Sequence, residues 1–182
     1  YYYWRQTQNV LDHGYGADET RNGTMWNTHQ LAPLGQPQQI TELHPLLPAG
    51  LGQGLSNVFD TTPYMVFFTL PAVIASLAVI PAFFLGRRYG GSFGGFISAA
   101  IVATHQVFVS RSVAGFSDTD AYNITLPLFI FWFTVEAFTA TTRKRRWTYG
   151  ALTTVFIGIL AKTWLAWWLT YIFVITTALA VF

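Results

Sequence analysis

The chain changes character near residue 61, where scattered polar, glycine and proline positions give way to long apolar runs. A helix of about 20 apolar residues is long enough to cross a bilayer core of roughly 30 Å. The pattern predicts five such spans, at about residues 61–85, 92–109, 121–140, 148–160 and 169–182, with a polar loop at 110–120. We therefore predict an all-α polytopic membrane protein.

Residues 1–60 form a polar segment that carries two arginines and five acidic residues. Its opening, "YYYWRQTQNVL", is aromatic and then helical in pattern, which is typical of an amphipathic helix at a membrane interface. The stretch that follows is interrupted by Pro33, Pro37, Pro45 and Pro48, which favour turns and short helices. We predict a long first external loop with short amphipathic helices.

The composition supports a bilayer environment. The chain is 52% hydrophobic and 10% charged, whereas ordinary soluble domains are about 25% charged. A net charge of +2 is too small to indicate nucleic-acid binding, and the lack of cysteine excludes disulfides and thiolate metal sites. Because the chain begins without Met and stops inside an apolar run, we interpret it as an internal fragment of a longer membrane protein.

Basic residues give an orientation, because short loops rich in Lys and Arg stay on the cytoplasmic side. Arg87 and Arg88 follow the first span, and the run "RKRR" at 143–146 follows the third. Both loops are then cytoplasmic. By parity, residues 1–60 and the loop at 110–120 lie on the outer face of a multi-pass cell-membrane protein.

The loop at 110–120 contains "SDTD", with Asp118 and Asp120 one residue apart. One interpretation is helix capping, since acidic groups stabilise a helix N-terminus by about 0.5 to 2 kcal/mol. The other is a cation site, because two adjacent carboxylates near hydrocarbon repel each other unless a cation lies beside them. Two carboxylates with a substrate phosphate suit Mg²⁺ or Mn²⁺. The spacing leaves both interpretations open.

Five further polar side chains are candidates for a functional or structural role. Arg111 either pairs with the aspartates or binds a phosphate. His105 is either a packing histidine or a ligand, and Glu136 is expected to reach toward "RKRR". Asn22 and Asn123 begin Asn-x-Thr sequons; the first is a possible glycan acceptor, and the second lies within a span and is interpreted as accidental.

The stretch "SRSVAGFSDTDAYNITLP" resembles the second acidic motif of a known family, the catalytic subunit of oligosaccharyltransferase. The resemblance is to the archaeal AglB type, particularly the version found in halophiles. "YYYWRQTQNVL" is similar to the segment after that family's first acidic motif, and "APLG" at 32–35 is similar to its Pro-Leu-Gly element. The order of these elements agrees along almost the whole chain.

The resemblance implies a GT-C type transmembrane helix bundle. Enzymes of this kind transfer an oligosaccharide from dolichol phosphate or diphosphate to the Asn of an Asn-x-Ser/Thr acceptor, with inversion at the anomeric carbon. It implies that Asp118 and Asp120 are catalytic and bind Mn²⁺ or Mg²⁺. It also implies that Arg111 binds substrate near the carrier phosphate.

The family's first acidic residue would come just before Tyr1 and its soluble C-terminal domain after Phe182, so we expect the fragment to be inactive alone. Three alternatives remain. The first is another polyprenyl-phosphate-dependent GT-C glycosyltransferase. The second is a cation-coupled transporter fragment with the two aspartates as its ion site, and the third is a scaffold subunit that uses "SDTD" as a helix cap.

Overall fold

The computed structural model describes residues 2–38 and 42–181 and is mostly helical. Phe182, the end of the predicted fifth span, lies outside the described residues. The elements are α1 (Tyr2–His13), β1 (Glu19–Arg21), β2 (Thr24–Asn27), β3 (Gln36–Pro37), α2 (Leu43–Ser56), α3 (Pro63–Ser76), α4 (Val79–Thr104), α5 (Gln106–Ser110), α6 (Asp120–Thr139), α7 (Arg143–Ala161) and α8 (Trp167–Val181).

The chain forms two compact units, Tyr1–Leu70 and Pro71–Phe182. The boundary between the compact units falls inside α3, whereas the predicted division at residue 60 marks the change from polar to apolar sequence. The reason is the Trp4 ring, whose centroid lies 5.0 Å from that of Tyr64 and 5.3 Å from that of Phe67. These aromatic contacts attach the first turns of α3 to the first unit.

The predicted helical character is confirmed for most of the chain, but the first unit also contains a three-stranded antiparallel sheet of short strands in the order β1-β2-β3, which the all-α prediction did not include. Strands β1 and β2 pair through Arg21 and Thr24 around a two-residue turn. In that turn Asn22 and Gly23 both have positive φ, 50° and 79°. Asn-Gly between short strands is the characteristic sequence of such a hairpin, and we had considered Asn22 only as a glycan acceptor.

Asp18 connects α1 to this sheet through an ion pair and hydrogen bonds. Its carboxylate lies 2.9 Å from the Arg5 guanidinium and accepts hydrogen bonds from the Asn9 amide at 3.0 Å and the Thr28 backbone at 2.8 Å. Burial raises the pKa of Asp18, but hydrogen bonds from Thr28, Asn9 and His29 and the charge of Arg5 outweigh it and lower the pKa to about 2.

The second unit begins with a helical hairpin inside α4. Gly90 and Gly91 have non-helical backbone angles, with a φ of +62° at Gly91. A Cβ on Gly86 would lie 2.5 Å from the carbonyl oxygen of Gly94, although residues eight apart on a straight helix are separated by about 12 Å along the axis. The arms at 79–89 and 92–104 therefore fold back on each other.

The hairpin changes the predicted boundaries. The helix does not stop at residue 85 but continues through Arg87 and Arg88, and the chain reverses at Gly90 and Gly91. Glycine suits this position because a positive φ costs it little. Pro71 lies inside α3 and Pro81 lies in the first turn of α4, and both prolines are buried.

Helix α6 is the centre of the second unit. Its Trp132 ring is stacked on Phe84 of α4, with centroids 4.6 Å apart and planes 2° apart. The Thr125 hydroxyl donates to the carbonyl of Ile74 at 3.2 Å; this carbonyl also accepts from the amide of Leu77 at 3.2 Å, in the turn that ends α3. Ile130 is fully buried. Helix α6 thus packs against both α3 and α4.

The two basic segments meet at one end of this unit. Arg145 on α7 and Arg88 on α4 lie 2.8 Å and 3.7 Å from the carboxylate of Glu136 on α6. We had predicted a loop at 143–146, but this run forms the first turn of α7. Thr142 caps this helix by accepting from the Arg145 amide. Glu136 offsets the unfavourable position of cations at a helix N-terminus.

Two helical stretches among the described residues are long and apolar enough to cross a membrane, Pro63–Thr104 with 42 residues and Asp120–Thr139 with 20. A third apolar helix, Trp167–Leu179, is shorter. Since the chain reverses at Gly90 and Gly91, the longer stretch supplies two antiparallel helical legs.

Candidate functional site

The polar end opposite Glu136 is built on the short helix α5. His105 follows the end of α4 and caps α5, since its side chain accepts a hydrogen bond from the amide of Phe108 in the first turn of α5. The Ser112 hydroxyl donates to the carbonyl of Phe108 at 2.7 Å and closes the last turn. Gly115, with a φ of +92°, then turns the chain toward α6. This local structure positions Arg111 and the acidic pair.

Asp118 lies two residues before α6, next to the N-cap residue Thr119. Its Oδ1 accepts from the backbone amide of Thr119 at 2.6 Å, and for its Oδ2 the described residues supply no hydrogen bond. The N-cap residue of α6 is Thr119, and it makes no side-chain capping bond. A capping side chain bonds amides two or three positions on, so the capping interpretation does not describe Asp118.

Asp120 and Arg111 are brought together by the turn between α5 and α6. The closest nitrogen–oxygen distance between them is 3.7 Å, and the side chains are 37% and 59% exposed. The Arg111 guanidinium also lies 5.6 Å from the centre of the Phe116 ring. At this distance the ion pair is weak, and Arg111 keeps hydrogen-bond donors for another anion.

A cavity of about 410 Å³ opens at this end of the second unit. Its polar lining comes from His105, Arg111, Asp120 and Asn123; Asp118 is not among the lining residues. The Oδ1 atom of Asn123 is buried and has no hydrogen-bond partner among the described residues. Asn123 had been considered only as an accidental sequon and not as a site residue, although its spacing of three from Asp120 places both on one face of α6.

Asp118 and Asp120 are the two carboxylates predicted to bind a metal ion. Within the described residues no group of three or more His, Asp or Glu side chains is arranged to hold a metal ion. Magnesium and manganese, however, are commonly held by one or two carboxylates together with substrate phosphates and water. The unengaged Oδ2 of Asp118 and the exposed carboxylate of Asp120 fit that partial donor set.

The fold and the site define a mostly helical protein with helices of membrane-spanning length and a polar, acidic site at one end. The chain belongs to the oligosaccharyl transferase STT3 family: the model of that family's N-terminal region matches residues 1–182. The resemblance seen in the sequence is therefore confirmed at the level of the family.

Curated relatives agree with this assignment. The chain is 30% identical to a dolichyl-phosphooligosaccharide-protein glycotransferase of Methanococcus voltae, over 96% of the chain and 20% of the relative. It is 28% identical to the protein of the same name from Methanocaldococcus jannaschii, over 75% of the chain and 15% of the relative. It is 34% identical to the dolichyl-monophosphooligosaccharide–protein glycotransferase AglB of Haloferax volcanii, over 46% of the chain and 7% of the relative.

The chain thus spans about a fifth or less of these relatives. No solved structure is significantly similar to it.

Proposed function

We propose that the chain is the N-terminal membrane part of a glycosyltransferase that moves an oligosaccharide from dolichol phosphate or diphosphate to the Asn of an Asn-x-Ser/Thr acceptor. The names of the relatives support the donor class and the protein acceptor. The observation that carries the proposal is the separation of charge along α6. Asp118 and Asp120 lie at one end of this helix, and basic residues surround Glu136 near the other end.

This separation of acidic and basic residues also supports a multi-pass location in the cell membrane with the active face external. Basic segments near Glu136 favour the cytoplasmic side. From Asp120 to Glu136 the helical rise is about 24 Å, so the acidic pair would lie near the opposite water boundary. Apolar side chains on the legs face outward, with Phe93 76% and Phe96 67% exposed, as lipid-facing residues do.

In the proposed mechanism Asp118 and Asp120 hold Mn²⁺ or Mg²⁺. When bound, this ion supplies Lewis-acid stabilisation of the negative charge on the departing phosphate. Arg111 lies on the same side of the cavity as Asp120. Its planar guanidinium binds phosphate oxygens in pairs, so it holds the carrier phosphate and orients the anomeric carbon.

The reaction itself is a displacement. The acceptor amide nitrogen forms a bond to the anomeric carbon from the face opposite the carrier, the bond from that carbon to the phosphate oxygen breaks, and the phosphate leaves with the electron pair. A nearby carboxylate polarises the amide, and the amide proton is released to base. Attack from the opposite face inverts the anomeric configuration.

The test uses the full-length gene product reconstituted in lipid, with a lipid-linked oligosaccharide and an Asn-x-Thr peptide. Asp118→Asn and Asp120→Asn should each lower the rate of glycopeptide formation by at least about 100-fold, within the range seen when a charge-stabilising group is removed. Asp60→Asn, which changes an exposed acid of the first unit, is the control. Chelation should abolish transfer, and Mn²⁺ should restore it.

Undiminished transfer by both aspartate variants would remove the catalytic assignment. If the sugar instead appears on a lipid or on a different acceptor, the alternative of another polyprenyl-phosphate-dependent transferase is correct.

A further inference from the structure

A second cavity lies at the opposite end of the second unit from the acidic pair. It has a volume of about 460 Å³ and lies between α6, α7 and α8. Its wall includes Phe138 of α6, Arg146 and Gly150 of α7, and Val174 of α8. We propose that this groove binds one anionic membrane lipid, with a hydrocarbon chain in the groove and the phosphate headgroup on Arg146.

The polar residues in the wall of the groove offer it no free hydrogen-bond donors. Three threonines contribute to it, and each hydroxyl donates to the carbonyl four residues earlier in its own helix: Thr134 to Ile130 at 2.7 Å, Thr153 to Tyr149 at 3.0 Å, and Thr154 to Gly150 at 3.1 Å. These donors are already satisfied. The interior of the groove therefore suits a hydrocarbon chain better than a polar ligand.

The mouth of the groove is basic. Arg146 donates one hydrogen bond to the carbonyl of Ala140 at 3.4 Å, which leaves most of its donors available for phosphate oxygens. Arg143 and Lys144 lie on the same helical turn, whereas Arg145 is paired with Glu136. Basic clusters at the end of a membrane helix attract anionic headgroups.

The dimensions of the groove also suit one lipid chain. From Arg146 to Thr154 the helical rise is about 12 Å, and the groove runs away from the basic end along this length. Trp147, which is 68% exposed, lies at the mouth, and indole rings favour the level of lipid headgroups. Gly150 keeps the middle of the groove open, since a Cβ there would meet nothing within 4 Å.

The selectivity must come from the headgroup, because a hydrocarbon chain gains little by leaving one apolar environment for another. A single basic contact near the surface corresponds to about a fivefold preference for an anionic over a zwitterionic lipid. The proposal needs the membrane location of α6 and α7 but not a catalytic role for the acidic pair.

The test uses the full-length protein in nanodiscs that contain a small fraction of a lipid with a diazirine in its hydrocarbon chain. The probe has either a phosphatidylglycerol or a phosphatidylcholine headgroup, and labelling of the α7 peptide is quantified by mass spectrometry after photolysis. Wild-type protein should be labelled about fivefold more by the phosphatidylglycerol probe. Arg146→Gln should remove this preference, whereas Arg143→Gln should reduce it less than twofold.

Gly150→Leu should fill the groove and reduce labelling by both probes. Gly158→Leu is the matched control, because Gly158 is also on α7, has open space beside it and is not part of the groove wall. Elution profile and thermal unfolding check that each variant is folded, and Arg146→Gln gives a second readout if Gly150→Leu is unstable. Equal labelling by the two probes, no labelling of α7, or full labelling of a folded Gly150→Leu variant would each overturn the proposal.

Discussion

The Arg145 guanidinium lies 2.8 Å from the Glu136 carboxylate, which is only 18% exposed. Arg88, from a different helix, lies 3.7 Å from the same carboxylate. One acidic side chain therefore connects the two basic segments from which we predicted the orientation of the chain in the membrane. It also fixes α4 and α7 to the same end of α6.

Glu136→Gln should lower the free energy of unfolding of the second unit by about 1 kcal/mol, because two arginines lose a partner in a partly exposed site. Thermal unfolding in detergent measures this loss. Arg143→Gln is the control: among the described residues Arg143 has no ion pair or hydrogen bond. Equal destabilisation by the two variants would contradict the assigned role of Glu136.

Gly86→Val should destabilise the α4 hairpin by about 1–3 kcal/mol, since the added atoms would collide with the carbonyl of Gly94 and overpacking carries costs of this size. Gly158→Val makes the same change at a helical glycine that has open space beside it, and it should be close to neutral. Thermal unfolding of the two variants side by side distinguishes close packing of the hairpin arms from a general effect of glycine replacement.

Asp18 should make the first unit sensitive to acid. Its pKa is lowered from 3.8 to about 2 in the folded state, so its contribution to stability is fully present above the unfolded pKa. That contribution, on the order of 2 kcal/mol, is lost as the pH falls from about 4 through about 2. Hydrogen exchange of residues 16–30, corrected for the intrinsic pH dependence, measures the loss.

Asp18→Asn should weaken the first unit near neutral pH and flatten its response to acid. Asp12→Asn, an exposed acid on α1, serves as control and should leave the acid response unchanged. If the acid response of residues 16–30 persists in Asp18→Asn, other carboxylates are responsible for it.

Arg111→Gln should change stability by less than about 0.5 kcal/mol, because the pair with Asp120 is long and exposed. If Arg111 binds the carrier phosphate, the same variant should raise the KM for the lipid-linked donor by about tenfold or more. Steady-state kinetics with the full-length protein separates this effect from a change in kcat. An unchanged KM together with a clear loss of stability would assign Arg111 a structural role only.

The predictable parts of the molecule are those that depend on local pattern. The apolar run at 121–140 corresponds to α6 at Asp120–Thr139, and that at 169–182 corresponds to α8 from Trp167. The acidic motif could also be recognised from neighbouring residues alone, because a close pair of carboxylates between two apolar runs is unusual in any fold. Their role in catalysis and metal binding stays a prediction.

Three features differed from the sequence prediction, two for local reasons and one because of packing between helices. The reversal at Gly90 and Gly91 is five residues beyond the predicted end of the first span, because Arg87 and Arg88 are good helix formers and continue the helix. The hairpin at Asn22 had a local signal that we assigned to another purpose. Asn123 became part of the candidate site only because α5 packs beside the start of α6.

The sequence by itself determined which segments are apolar enough for a membrane, where charge is concentrated and which family the chain resembles, since hydropathy and motif spacing are properties of neighbouring residues. The tertiary structure decided that Arg88 and Arg145 share Glu136, that Arg111 meets Asp120, and that a groove opens between α6, α7 and α8. These relationships arise from side chains on different helices, and their distances depend on how the helices pack.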